Sequence, residues 1–366
     1  MVQTAFRNLN SAYFAGPLGA LFLLGLAWDQ SLGTPVLLFL GLVLAACVYI
    51  AVSHAEVVAL RVGEPFGSLI LAAAVTIIEV GMIVVLVIDN PEGTTNLARD
   101  TVFAAIMITL GLIMGGSIVI KSLRLKFSTF NPEGAVPALA ALGALSVLSL
   151  VLPSFTTSSP GPTFTTTQLI FAAVTSIVIY TIFVLMQTVR HRDFFLPPPR
   201  ANAIQGVNDH INAPTSTQAI YSVFGLVASL VAVVGLAKVT SPLIQDTVNA
   251  FDLPQMVVAL SIAIIVLLPE SISALKAAAY GRTQTSVNLA LGSALASIGM
   301  TIPAVAILSI VFNYQVNLGL GPTEIALLFL ALFVSALTLI PGKASLLQGS
   351  VHLSIFAAFV LVVFTP

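Results

Sequence analysis

Long apolar runs alternate along the chain with short clusters of Pro, Gly, Asn and charged residues. A bilayer core about 30 Å thick takes roughly 20 residues of helix. Runs of about that size fall near 13–28, 34–60, 65–89, 101–120, 135–153, 167–188, 217–240, 253–276, 285–312, 322–340 and 345–364. The breaks carry turn chemistry: Asn90-Pro91-Glu92-Gly93, Asn131-Pro132-Glu133-Gly134, Ser159-Pro160-Gly161-Pro162 and Pro341-Gly342. The longest polar stretch, 190–216, contains Pro197-Pro198-Pro199 and reads as a linker. The pattern therefore predicts an all-α membrane protein of about eleven transmembrane helices.

Composition strengthens that picture. Of 366 residues 58% are hydrophobic and 7% charged, with a mean hydropathy of +1.08. A soluble domain would carry about a quarter charged residues, so lipid is the expected solvent. A net charge of −1 implies no attraction to nucleic acid. The lone cysteine, Cys47, excludes an internal disulfide and reads as a small apolar filler. Arg7 precedes a polar stretch with no small-residue cleavage site, so a cleaved signal is not expected. Sorted by the predicted spans, 11 of the 13 Lys and Arg residues fall on one side, leaving only Arg99 and Lys238 on the other. The positive-inside rule then puts the N-terminus in the cytoplasm and the C-terminus outside.

Against this apolar background two carboxylates stand out, because an ionisable group deep in a membrane is costly and marks a functional site by default. Glu79 lies in "LILAAAVTIIEVGMIVV" of the third span, and Glu270 in "SIAIIVLLPESISALKAA" of the eighth. Their contexts match loosely. The glutamates are 191 residues apart, and the helices that follow them, "RDTVFAAIMITLGLIMGG" and "QTSVNLALGSALASIGMT", are 185 apart. With five helices per half, the copies cross the membrane in opposite senses, as in the inverted repeats of secondary transporters. The expected organisation is an N-terminal helix in 1–30, a first five-helix repeat in 31–189, a cytoplasmic linker at 190–216 and a second repeat in 217–366. Pro269, just before Glu270, predicts either a kink or a true break.

Two stretches, "HAEVVALRVGEPFGSLILAAAVTIIEV" and "LLPESISALKAAAYGRTQTSVNLALGSALASIGMTIPAVA", resemble the calcium/cation antiporter superfamily, specifically its bacterial ChaA-type calcium/sodium–proton antiporters. "LPSFTTSSPGPTF" and "QTVRHRDFF" extend the resemblance over almost the whole chain. It implies that Glu79 and Glu270 hold the cation and that Gly63, Gly67 and Glu56 fall on family positions. Val75-Thr76 and Val266-Leu267 stand where the wider family has Gly-Asn, whereas Gly292-Ser293 keeps its later Gly-Ser pair. Met107-Ile108 occupies the matching place in the first copy, leaving Thr109 as the nearest hydroxyl. Calcium prefers six to eight oxygens. A site offering Glu79, Glu270, Thr76, Thr109 and Ser293 keeps sodium and potassium in play beside calcium.

The expected function is exchange of Ca2+ and/or Na+ (K+) for H+ across a bacterial inner membrane, with the two glutamates binding cation or protons but never both. Partners are inorganic cations, protons and the bilayer, and no cofactor is expected. A monovalent cation/proton antiporter without calcium transport and a cation channel are the alternatives. No GxxxxGK[ST] or HExxH motif points to an enzyme. His54 and Glu56, with one residue between them and so on different helix faces, are candidates for proton entry or a gate. His352 reads as a satisfied core histidine, and Arg190-His191-Arg192 as a topology anchor with a minor pH-sensing reading.

Overall fold

The computed structural model describes residues 11–63, 66–89, 94–196, 214–312 and 314–365. Arg7, the Asn90–Gly93 turn, Pro197–Pro199, Arg200 and His210 lie outside the described residues. The described chain is almost wholly helical. Its long helices are α1 (Ser11–Ala27), α2 (Thr34–Val62), α3 (Phe66–Asp89), α4 (Leu97–Arg124), α5 (Pro132–Ser154), α6 (Thr166–Arg190), α7 (Ser216–Ala250), α8 (Met256–Ala279), α9 (Thr283–Val311), α10 (Pro322–Leu339) and α11 (Leu346–Phe364). Among the described residues nine helices are long and apolar enough to cross a membrane, and Ala15–Ala27 and Ala73–Ile88 are shorter apolar segments of α1 and α3. The chain is a multi-pass membrane protein.

Local chemistry sets the helix ends. Asn131 accepts from the Glu133 amide while Pro132 takes the first turn of α5, where its missing N–H costs nothing. Thr165 with Gln168 and Ser345 with Gln348 form capping boxes at α6 and α11. Gly342, at φ 66°, turns the chain between α10 and α11 in a conformation that favours glycine. There the two-residue strands β1 (Ser128–Thr129) and β2 (Lys343–Ala344) pair antiparallel.

One helix departs from expectation and another resolves an open alternative. The predicted seventh span ended near 240, but α7 runs to Ala250 and carries Pro242 inside it. Backbone bonding continues past the apolar run because a helix needs no apolar side chains once it reaches water. The alternatives at Pro269 resolve as well, since α8 is helical throughout Met256–Ala279. Proline removes one bond, to the Ile265 carbonyl, without ending the helix.

The chain packs as two compact units, each drawing helices from both sides of the 190–216 stretch. One holds α1, α2, α3 and α7, with α2 lying along α7 as its main contact. The other holds α4, α5, α6 and α8–α11, with α4 packed on α8, α9 and α11. In α4 78% of the most apolar window is buried, against 28% in α10 and α11, so α4 is the core helix of its unit.

Candidate functional site

In the first unit the chemistry-bearing helix is α3. Glu79 is 3% exposed and Thr76 6% exposed. Residues three apart share a helix face, so carboxylate and hydroxyl stand together, while Ile77 on the opposite face is 51% exposed. His54 on α2 is buried, and its imidazole packs directly on the Cα of Gly225 in α7. Glu56, two residues on, is only partly buried and faces away from His54. Hence the structure brings Thr76 and Glu79 onto one face and keeps His54 and Glu56 on two faces.

In the second unit Glu270 is 8% exposed on α8, directly after the buried Pro269. Thr109 lies on α4 and Ser293 on α9, two helices packed on each other and on α8. Thr109 is the second residue of a short π-helical segment, Ile108–Ile113, which widens the helix by one residue, a form common at functional sites. Its hydroxyl proton is committed within α4, to the carbonyls of Ala105 and Ile106 at 2.9 Å each. The oxygen lone pairs alone remain to face a cation. Ser293 is half-buried.

The sequence reading stopped at Ser293 and missed the hydroxyls that follow it. Ser297 is 5% exposed and Thr301 is fully buried. Together with Ser293 they repeat every four residues, so α9 presents a ladder of hydroxyls along one face. The spacing was readable in "GSALASIGMT"; Thr301 Oγ1 makes no hydrogen bond among the described residues. Other polar groups on α9 are structural. Gln284 accepts from the Asn131 amide and donates to Asn288, which donates to the Phe195 carbonyl. Ser286 shares a hydrogen bond with Ser117 of α4.

His352 is the satisfied core histidine that the sequence implied. Its Nε2 lies 3.1 Å from Thr338 Oγ1 of α10, and the ring also hydrogen-bonds the Leu110 backbone in the π-helical segment. Charge is sorted within the second unit too. Lys121 and Arg124 donate to the carbonyls of Gly281 and Ala279 at the C-terminal end of α8, where a cation complements the helix dipole. Arg99, at the opposite end of α4, pairs with buried Asp100 at 2.7 Å and donates to the Gly319 carbonyl at 2.7 Å.

Among the described residues no group of three or more His, Cys, Asp and Glu side chains is arranged to hold a metal ion. Among the described residues Glu79 in one unit and Glu270 in the other are the buried carboxylates that lie mid-helix, and each shares its unit with buried hydroxyls.

Comparison with known proteins identifies the family. The sequence profile described as sodium/calcium exchanger protein matches residues 32–189 and 221–365. The chain is 44% identical over 323 residues to the putative ionic transporter y4hA of Sinorhizobium fredii (strain NBRC 101917 / NGR234), covering 88% of this chain and 87% of that protein. It is 29% identical over 367 residues to the sodium-potassium/proton antiporter ChaA of Escherichia coli (strain K12), covering 99% and 98%. Among solved structures it shares the fold of native YfkE, at a TM-score of 0.71 and 17% identity over 96% of this chain and 98% of that one. It also shares the fold of the H+/Ca2+ exchanger CAX, at a TM-score of 0.70 and 15% identity over 96% and 87%. With nearly the whole chain matched in sequence and in fold, this protein belongs to the sodium/calcium exchanger protein family and is a membrane transporter, not an enzyme.

Proposed function

We propose that the chain is a secondary active antiporter of a bacterial inner membrane that exchanges Ca2+ and/or Na+ (K+) for H+ through Glu79 and Glu270, without a cofactor. The observation that carries this reading is the near-complete burial of both glutamates, 3% and 8% exposed, on helices otherwise free of acidic groups along their apolar length. A carboxyl group removed from water is tolerated neutral or with a cation beside it, and not as a bare charge. Cation and proton therefore exclude each other at the same oxygens, and that exclusion couples the two fluxes. Thr76 and the α9 hydroxyls Ser293, Ser297 and Thr301 supply neutral oxygens that strip part of the ion's hydration shell, as does Thr109 through its lone pairs. Glu56 and His54 serve proton entry from the end of α2. In this reading the halves 31–189 and 217–366 are inverted repeats, the N-terminus is cytoplasmic and the C-terminus periplasmic.

The donor set contains few amides or carboxylates, which favours monovalent ions beside calcium. The similarity to a sodium-potassium/proton antiporter points the same way. The test is cation-dependent proton flux in everted vesicles, assayed separately with calcium, sodium and potassium. Wild type is expected to exchange at least one of them for protons. Glu79→Gln and Glu270→Gln are each expected to abolish exchange while inserting normally, because glutamine has the shape without the titratable charge. Near-normal exchange by either variant removes that residue from the mechanism.

A further inference from the structure

Trp28, Asp29 and Gln30 follow the end of α1, and together with Lys238, Ser241, Gln245 and Asp246 of α7 they line a cavity of about 420 Å³ in the α1–α2–α3–α7 unit. We propose that this cavity binds the headgroup of a zwitterionic phospholipid bearing a primary ammonium, with the phosphate on Lys238 and the ammonium on Asp29 and Asp246.

Depth places the cavity at headgroup level. One end of the unit is marked by Arg61 of α2, which donates to Ser216 at the start of α7 at 2.7 Å. Lys238 follows Ser216 by 22 residues. That is about 33 Å of helix at 1.5 Å per residue, against a hydrocarbon core of about 30 Å. Lys238 thus reaches the far interface, and Trp28 beside it is the residue type that marks such a level. α7 then continues beyond the core, which is why its wall here is polar.

The wall is also electrically mixed. Lys238 Nζ sits 4.5 Å from the Trp28 ring centroid and makes no ion pair among the described residues, and neither do Asp29 and Asp246. Asp29 adopts a left-handed backbone, φ 55°, in the turn that ends α1. Pro242 has no N–H for the Lys238 carbonyl four residues earlier, so one wall keeps a main-chain acceptor without its usual helical donor. A bare cation held by the two aspartates would meet the Lys238 ammonium, and a bare anion on Lys238 would meet two carboxylates. A ligand carrying both charges satisfies all three. A lipid is preferred over a soluble phosphodiester because α1 exposes Leu18, Phe22 and Leu26, spaced four residues apart, along the helix that leads to the cavity. That stripe is a surface an acyl chain can follow.

The experiment is equilibrium binding to the full chain, purified and delipidated in detergent and read by native mass spectrometry. Probes are phosphatidylethanolamine, phosphatidylcholine and phosphatidylglycerol of one chain length, soluble glycerophosphoethanolamine, and calcium or sodium chloride alone. Phosphatidylethanolamine is expected to bind about tenfold tighter than the other two lipids, since only it offers charge-assisted hydrogen bonds at both ends. Lys238→Gln should remove that affinity, and Asp29→Asn with Asp246→Asn should remove the preference over phosphatidylglycerol. Lys238→Arg, which keeps the charge and the ring contact, should retain both. Thermal midpoints identify any variant that fails to fold, in which case the aspartate pair and Lys238→Arg carry the test. Equal affinity for the three lipids overturns the proposal, as does equal affinity for glycerophosphoethanolamine. Binding of the salt alone that depends on Asp29 and Asp246 would make the cavity a cation vestibule instead. None of these readouts involves transport, so the result is independent of the antiport reading.

Discussion

Within a membrane each polar side chain needs a partner in every protonation state, and the neighbours of a carboxylate are chosen accordingly. Thr76, one turn before Glu79, can donate to an ionised carboxylate or accept from a protonated one, which no apolar residue at that position could do. Under the proposed mechanism protons and cations compete for these oxygens. More protons mean fewer charged carboxylates, so apparent cation affinity should weaken as pH falls, by up to about tenfold per pH unit for each proton displaced. The measurement is the apparent KM for calcium and for sodium from about pH 6 to 9, which spans the ordinary histidine range. It is repeated with His191 and His210 both replaced. A regulatory histidine would change the maximal rate and leave KM flat, and a flat KM sinks the shared-carboxylate scheme. His191 stacks on Phe194 with ring centroids 4.8 Å apart, an arrangement that anchors the chain after α6. Packing at a single residue is testable at Gly225. A Cβ there would overlap the His54 ring, so Gly225→Ala should destabilise the protein by about 1–3 kcal/mol. The shift would be read as a lower thermal midpoint in detergent. His54→Ala in the same background should restore most of the loss; a simple sum of the two losses would show that the ring is not what the methyl meets.

At the scale of whole helices, small residues decide which surfaces touch, because lipid tails compete equally for any apolar side chain. α4 and α11 show the rule. Gly111 and Gly115, four apart, face Phe356, His352 and Gly349 of α11, and a Cβ on Gly115 would lie 2.8 Å from the His352 Cβ and 3.0 Å from the Gly349 carbonyl. Gly115→Ala should therefore open the seam and cost about 1–3 kcal/mol. Gly143 on α5 is the contrast, since nothing stands closer than 3.9 Å to an added Cβ. Gly143→Ala should be neutral or stabilise by about 0.4–1 kcal/mol by restricting the unfolded chain. Equal thermal midpoints for the two variants would remove the seam from the account. The same seam brings His352 against the Leu110 backbone, so the widened turn carrying Thr109 is held from outside its own helix. Widened turns have no local sequence signature, and Thr109 could be named from its position but not placed on one.

For the molecule as a whole, the proposed orientation rests on the sorting of 11 basic residues against Arg99 and Lys238. A reporter fused at the C-terminus should read as periplasmic, and one inserted within 190–216 as cytoplasmic. Finding both on one side would break the proposed arrangement of inverted repeats. The two outlying cations are not loose exceptions. Arg99 pairs with Asp100, and Lys238 lies over Trp28. Each has a local reason to sit where the charge rule disfavours it.

The order and rough bounds of the helices were legible in the sequence because lipid offers the backbone no hydrogen bonds. Every spanning segment must then satisfy its own N–H and C=O groups as a helix of nearly fixed length. The same solvent makes Glu79 and Glu270 conspicuous, since any carboxylate in such a run stands against its surroundings. Where α7 ends was not legible, because hydropathy reports the lipid boundary and the helix continues into water. Only the tertiary structure decided that α7 joins α1–α3, that α4 is the core of the other unit, and that Ser297 and Thr301 are buried beside Ser293. Those outcomes depend on which helix surfaces can approach closely over hundreds of residues of separation. That complementarity of small and large side chains leaves no periodic trace in any one segment.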